Sequence, residues 1–271
     1  MSNKDFKFVS YLWDEEKAKA LVGDEVGLLV YRSNLLGADL RLTNYGGGNT
    51  SCKVASIDPL TKKSVEVMWV KGSGGDLGTM KKEGLAALYL DRLHDLQNIY
   101  KGLAYEDEIV GLYNHCIYDF DSKAPSIDTA LHGLLPFKHI DHLHPDAAIA
   151  IAAAKDGEKI TKELFNGTIG WVKWQKPGFD LGLQLKQCLD QLPELKRANP
   201  GISEEEVQVE TLQRCQQFPC ADRPRLSTTL LRSMCLSREI FVFRRIHCLY
   251  LCKECVKIYT LSTEPSAFNL D

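Results

Sequence analysis

The stretch Pro125-Ser126-Ile127-Asp128, with His132 four residues beyond that aspartate and then Asp141-His142-Leu143-His144-Pro145, carries two imidazoles at alternate positions behind a carboxylate. On a strand, the two-residue period points His142 and His144 to the same side. Two imidazoles on one face make half of a divalent-metal site, and a catalytic zinc centre takes three protein ligands plus an open position. A short helix opening at Pro125, with Ser126 near its start, sets Asp128 and His132 on one face. His132 and His139 are expected to pack or hydrogen-bond rather than ligate. Pro145 opens a further helix that carries an alanine run.

Outward from this stretch the chain alternates helical and extended segments. Helical spacing fits Glu15 to Val22, Val26 to Leu36, Gly84 to Tyr100 and Ile109 to Ile117. Extended segments fit Asn49 to Ile57, Ser64 to Val70 and Thr168 to Trp174. This mixture predicts a layered α/β domain without fixing the strand order. Two glycine clusters border the predicted strands. Tyr45-Gly46-Gly47-Gly48-Asn49-Thr50-Ser51 enters one, and Lys71-Gly72-Ser73-Gly74-Gly75-Asp76 leaves another. Bare backbone N–H groups beside small polar side chains can wrap an anion, and Lys71 can add charge. The second cluster is not a P-loop, because its lysine precedes the glycines.

The bulk composition narrows the classes. The chain has 271 residues, 44% of them hydrophobic and 25% charged, enough to bury a sizeable core. A net charge of −3 leaves no basic footprint for nucleic acid or anionic lipid, so an anionic substrate must be held locally. Residues 1–7 lack the apolar core of a signal peptide, and the run from Ala147 to Ala154 is too short to span a bilayer. A cytoplasmic protein is expected. Near residue 202 the composition breaks: all 20 glycines lie at or before Gly201, and six of the nine cysteines follow it. Arginine rises from four before position 202 to seven after.

The ordered succession Gly-Gly-Asn-Thr-Ser, Lys-Gly-Ser-Gly-Gly-Asp, Pro-Ser-Ile-Asp-X-X-X-His and His-X-His-Pro-Asp resembles the class II aldolase and adducin-like superfamily. Asn44 to Ser51, Lys71 to Leu77 and Pro136 to Asp146 resemble, more narrowly, the rhamnulose-1-phosphate aldolase-like half of bacterial fusions with a short-chain dehydrogenase. The resemblance covers roughly residues 10 to 200. It implies a three-layer α/β/α sandwich, incomplete at the C-terminus, and a homo-oligomer, often a tetramer. It further implies that Gly48, Asn49, Ser73, Gly74 and Ser126 contact substrate phosphate, that Asp128 stands in the place of a catalytic glutamate, and that His142 and His144 are the first two zinc ligands. Ile127 and Asp128 depart from the family's Ser-Ser-Glu, which shortens the carboxylate's reach by one methylene.

The activity implied is retro-aldol cleavage of a ketose 1-phosphate to dihydroxyacetone phosphate and a short aldehyde such as lactaldehyde. A divalent cation at the keto and hydroxyl oxygens stabilises the charge left when the C3–C4 bond breaks. The same scaffold resembles sugar-phosphate 4-epimerases and dehydratases, and adducin-like relatives that lack the ligands and act as interaction modules. The family's third histidine, usually followed by glycine, has no counterpart between His144 and His247. His247 precedes Cys248 and is not assigned as that ligand. His247, Cys248, Cys252 and Cys255 suggest a separate small metal site, but an altered reading frame accounts better for the tail. The expected division is therefore an aldolase-like domain over 1–202, truncated, and an anomalous tail over 203–271. No Gly-X-Gly-X-X-Gly fingerprint occurs, so no NAD site is expected.

Overall fold

The computed structural model describes residues 12–165 and 169–190, and the strand backbones of 239–243 and 255–259. His247, Cys248 and Cys252 lie outside the described residues, as does the side chain of Cys255.

Two helices open the described chain. Asp14 caps α1 (Glu15–Ala20) by accepting from the N–H groups of Glu16 and Lys17. Asp24 caps α2 (Glu25–Ala38) by accepting from Gly27 N–H at 2.8 Å. Along α2, Val26, Leu29, Arg32, Ser33 and Leu36 are buried at the three- and four-residue spacing of one helical face.

Among the described residues, seven strands form one sheet in the order β3-β2-β1-β4-β7-β6-β5: β1 (Asn49–Ile57), β2 (Ser64–Lys71), β3 (Leu85–Tyr89), β4 (His139–Leu143), β5 (Ile169–Lys173), β6 (Glu239–Phe243) and β7 (Cys255–Tyr259). All neighbours are antiparallel except β4 and β7. Strand β4 is central and every residue of it is buried. Its register against β1 sets Asn49 opposite His142 and Ser51 opposite Ile140.

Helices cover both faces, giving three layers. On one side α2, α6 (Asp146–Ala152) and α7 (Gly157–Phe165) enclose Cys52, Leu85, Leu143 and Ile169. On the other, α3 (Leu90–Ile99), α4 (Glu106–Gly111), α5 (Thr129–Gly133) and α8 (Phe179–Asp190) bury Met68, Val70, Leu88, Ile140 and Val172. Among the described residues, no helix is long and apolar enough to cross a membrane.

Three local expectations change. Gly84 to Tyr100 is not one helix: Leu85–Tyr89 is a strand paired with β2, and α3 starts at Leu90. All five strand residues are buried, so they show no alternation, and a short apolar run reads equally as strand or helix. Ile109 to Ile117 divides into the end of α4 and a 3₁₀ turn over Leu112–Cys116. The helix expected from Pro125 begins only at Thr129.

Candidate active site

The site lies where the ends of β1, β2 and β4 meet the segment leading into α5. His142 is the fourth residue of β4 and His144 follows the strand's last residue, so the two-residue period sends both rings to one face. Their Nε2 atoms stand 3.0 Å apart, with ring centroids at 4.9 Å. Two nitrogens bound tetrahedrally to zinc, each about 2.0–2.1 Å from it, lie roughly 3.3–3.4 Å from one another, so this pair is spaced to share a cation. Burial, with Lys71 adding positive charge, pushes His142 down to about 3. Burial, then His142 and Lys71, against Asp128, takes His144 down to about 3. Both rings are therefore neutral at ordinary pH, the form a metal ligand requires.

His144 Nδ1 meets Asn44 Oδ1 at 3.0 Å. His142 Nδ1 is buried without a hydrogen-bond partner, and the nearest carboxylate oxygen, Asp128 Oδ2, is 3.9 Å away. The donor set fits a divalent cation at two positions. Among the described residues no group of three His, Cys, Asp or Glu side chains gathers around one point, and Asp128 faces the far nitrogen of His142 rather than the shared one.

A polar floor adjoins the pair. Asn49 Nδ2 donates to Ser126 Oγ at 3.0 Å and to the Lys71 carbonyl at 3.2 Å. Ser126 Oγ also accepts from Asp128 N–H at 3.2 Å. With both of its acceptor positions used, that hydroxyl keeps its proton to donate to an anion. Asn49 Oδ1 is buried without a partner. Lys71, buried at the end of β2, is held below the usual lysine range by burial, while Asp128 and Asp76 oppose that shift. Burial pushes the Asp128 carboxyl up, against the pull of His144 and Lys71.

The two glycine turns form the rim. Asp76 ties them together: its Oδ1 accepts from Gly46 N–H and its Oδ2 from Gly78 N–H, both at 2.9 Å. Ser73 N–H bonds the Ala124 carbonyl at 3.0 Å, which holds the second turn beside Ser126. Ser73 and Gly74 are exposed, and Gly74 has φ +73°. Gly48 has φ +75°, and a Cβ there would stand 2.8 Å from the His142 carbonyl oxygen, so only glycine lets this turn close on β4.

The structure thus gathers Asn49, Ser126, Asp128, His142 and His144, with Gly48 against the His142 backbone. It places Ser73 and Gly74 on the neighbouring rim. Neither His132 nor His139 joins the pair: His132 Nδ1 meets Ser51 Oγ at 2.8 Å, and His139 Nδ1 meets Arg32 at 3.1 Å. Sequence reasoning missed Asn44, Asp76 and Arg32. Asn44 and Asp76 fall inside the quoted glycine stretches. Arg32 carried only one signal, a charge on the apolar stripe of α2. There it forms a buried ion pair with Asp141, Nε to Oδ1 at 3.0 Å, and donates to the Ser51 carbonyl at 2.9 Å.

The profile of the Class II Aldolase and Adducin N-terminal domain matches residues 28–198. The chain belongs to the class II aldolase and adducin family. A relative from Bacillus subtilis (strain 168), described as "Uncharacterized oxidoreductase YuxG", is 42% identical over 179 residues, 66% of this chain. The match covers 25% of that protein, so the chain spans about a quarter of its relative's length. The N-terminal class II aldolase domain of a conserved protein from Thermoplasma acidophilum shares the fold, at TM-score 0.57 and 23% identity over 79% of this chain and 98% of that one. An L-fuculose 1-phosphate aldolase aligns over 70% of this chain and 95% of that chain at 16% identity and a TM-score of 0.31. Class II aldolases generally use a divalent metal such as zinc.

Proposed function

We propose that this domain carries out metal-dependent retro-aldol cleavage of a ketose 1-phosphate of the rhamnulose 1-phosphate type, yielding dihydroxyacetone phosphate and a short aldehyde such as lactaldehyde. The observation that carries the reading is the convergence of His142 Nε2 and His144 Nε2 at 3.0 Å beside the Asn49–Ser126 floor. When bound, zinc would be held by His142 Nε2 and His144 Nε2 and would supply Lewis acidity to the ketose's oxygens. The Ser126 hydroxyl and the exposed turn at Ser73 and Gly74 grip the phosphate, while Asn49, whose two N–H groups are committed to Ser126 and the Lys71 carbonyl, holds Ser126 in place and Gly48 keeps the first turn against β4. The phosphate grip fixes the sugar's register, so that its oxygens rather than its carbons face the imidazoles. Cleavage breaks C3–C4, leaves the electron pair on C3, and releases the C4 hydroxyl proton as the aldehyde forms. Asp128 is the group that moves protons between substrate and solvent. Burial keeps its carboxyl ready to hold the proton that C3 needs.

With two imidazoles, and no third ligand gathered beside them among the described residues, the chain is expected to hold zinc weakly and turn over slowly. The soluble sugar-phosphate substrate and a homo-oligomeric, cytoplasmic enzyme complete the reading, with the catalytic residues supplied by residues 1–202 and none by the tail. The test measures zinc binding by equilibrium dialysis and dihydroxyacetone phosphate release from rhamnulose 1-phosphate, in the full chain and in the His142→Ala/His144→Ala variant. Weak zinc binding and slow release, both abolished in the variant, are expected. Equal zinc uptake by chain and variant refutes the metal pair, and stoichiometric zinc with full turnover refutes the impairment. Epimerised or dehydrated product in place of aldehyde reassigns the reaction on the same scaffold.

A further inference from the structure

We propose that Asn44 is a positioning residue that holds the proton of His144 on Nδ1 and so presents Nε2 to the cation, an inference resting on the metal-pair reading above. The Asn44 side chain reaches His144 through its carbonyl oxygen, at 3.0 Å from Nδ1. A carboxamide oxygen only accepts, so the imidazole nitrogen facing it carries the hydrogen. With the hydrogen of the singly protonated ring on Nδ1, Nε2 bears a lone pair, and that atom faces His142 Nε2 at 3.0 Å. The hydrogen bond on one imidazole nitrogen decides which nitrogen is open to a metal.

The backbone around Asn44 is shaped for this contact. Gly47 N–H donates to the Asn44 carbonyl at 3.0 Å, closing a turn that folds the Asn44 side chain over Gly47. A Cβ on Gly47 would overlap Asn44 Oδ1 and stand 2.8 Å from His144 Nδ1. Glycine is needed at 47 for space, because any side chain there fills the gap through which the amide meets the ring. Gly46 and Gly48 serve the conformation of the same turn, with φ +72° and +75°. The glycine-rich stretch thus serves the metal ligand as well as an anion.

The experiment uses the full chain. Zinc affinity is measured by chelator competition in the wild type, Asn44→Ala, Asn44→Asp and Gly47→Ala, and ¹⁵N NMR reads the protonated ring nitrogen of His144 in the metal-free protein. Asn44→Ala and Gly47→Ala are expected to weaken zinc binding about 10–100-fold, the usual loss when a ligand's outer partner is removed. Asn44→Asp, which still accepts, is expected to bind at least as tightly as the wild type. In the metal-free wild type His144 carries its proton on Nδ1, and Asn44→Ala loses that preference. Asn44 is exposed, so the far-UV spectrum and melting of Asn44→Ala should match the wild type. Unchanged affinity in Asn44→Ala, an Asn44→Asp variant as weak as Asn44→Ala, or a wild-type His144 protonated on Nε2 overturns the assignment. A wild type that takes up no zinc sinks the metal reading, while the ring-nitrogen measurement still decides the role of Asn44.

Discussion

Arg32→Met tests how β4, the strand that carries His142, is held in place. Arg32 projects from α2 onto the sheet, where its guanidinium meets Asp141 Oδ1, His139 Nδ1 and the Ser51 carbonyl. The two charged side chains are 4% and 0% exposed. Removing the guanidinium leaves the Asp141 carboxylate buried without its cation, one residue from His142. Its second oxygen already lacks a hydrogen-bond partner. Breaking one side of such a pair costs about 3–5 kcal/mol, whereas replacing both charges with apolar groups is often close to neutral. The single variant is therefore expected to lose about 3–5 kcal/mol, a large share of a total stability of roughly 5–15 kcal/mol. Arg32→Met/Asp141→Leu should recover most of that loss. Urea denaturation followed by tryptophan fluorescence gives both numbers. A second readout is independent of stability: burial, then Arg32, takes His139 down to about 4, so Arg32→Met should move its titration back toward the ordinary value in NMR. A single variant costing under about 1 kcal/mol, or a double variant costing the sum of the singles, refutes the buried-charge reasoning.

Three further predictions concern the site and its supports. Gly48→Ala should cost about 1–2 kcal/mol for the left-handed backbone and weaken zinc binding as well. Its Cβ would press on the His142 carbonyl, Leu77 and Thr43 at 2.8–2.9 Å. Gly46→Ala, at φ +72° with no atom within 4 Å of the added Cβ, should carry the backbone cost alone; melting and chelator competition on the two variants separate these effects. His139→Gln should reduce the acid sensitivity of folding. The buried ring resists the proton that the unfolded imidazole accepts, so stability present above about pH 6.5 drains away as pH falls toward 4. Removing that ring should lower the slope of stability against pH by up to about 1.4 kcal/mol per unit within this window. An unchanged slope in urea titrations at pH 4–7 contradicts this. Asp128→Asn keeps the shape of the side chain but cannot carry the proton, so turnover should drop about 10²–10⁴-fold. An Asp128→Asn variant that turns over normally removes Asp128 from proton transfer.

What the sequence disclosed followed one rule: a feature was legible when its partners sat at fixed spacing within one element. His142 and His144 needed only the two-residue period of a strand, and the α2 face needed only its helical stripe. Leu85 to Tyr89 failed because burial on both faces erases the alternation that marks a strand, and Leu90, Leu93 and Leu96 then supply a true helical period directly after it. The α8 segment went unassigned although Phe179, Gly182, Leu185 and Leu189 keep helical spacing. Its N-terminal N–H groups are satisfied by Glu106, far away in sequence, instead of by a local cap. The supports of the site were hidden for the same reason. Arg32 and Asp141 are separated by 109 residues, Asn44 and His144 by 100, and Asn49 and Ser126 by 77. These contacts exist because β1 lies antiparallel beside β4 with Asn49 opposite His142. That one register brings the entry turn of β1 against the exit of β4, so a shift by a single residue would carry Asn49 to the face opposite His142. The spacing of His142 and His144 would survive such a shift, but their site would not. The His142–His144 pair is therefore written locally in the chain, while the Asn49–Ser126 floor and the Asn44 contact are properties of the strand pairing.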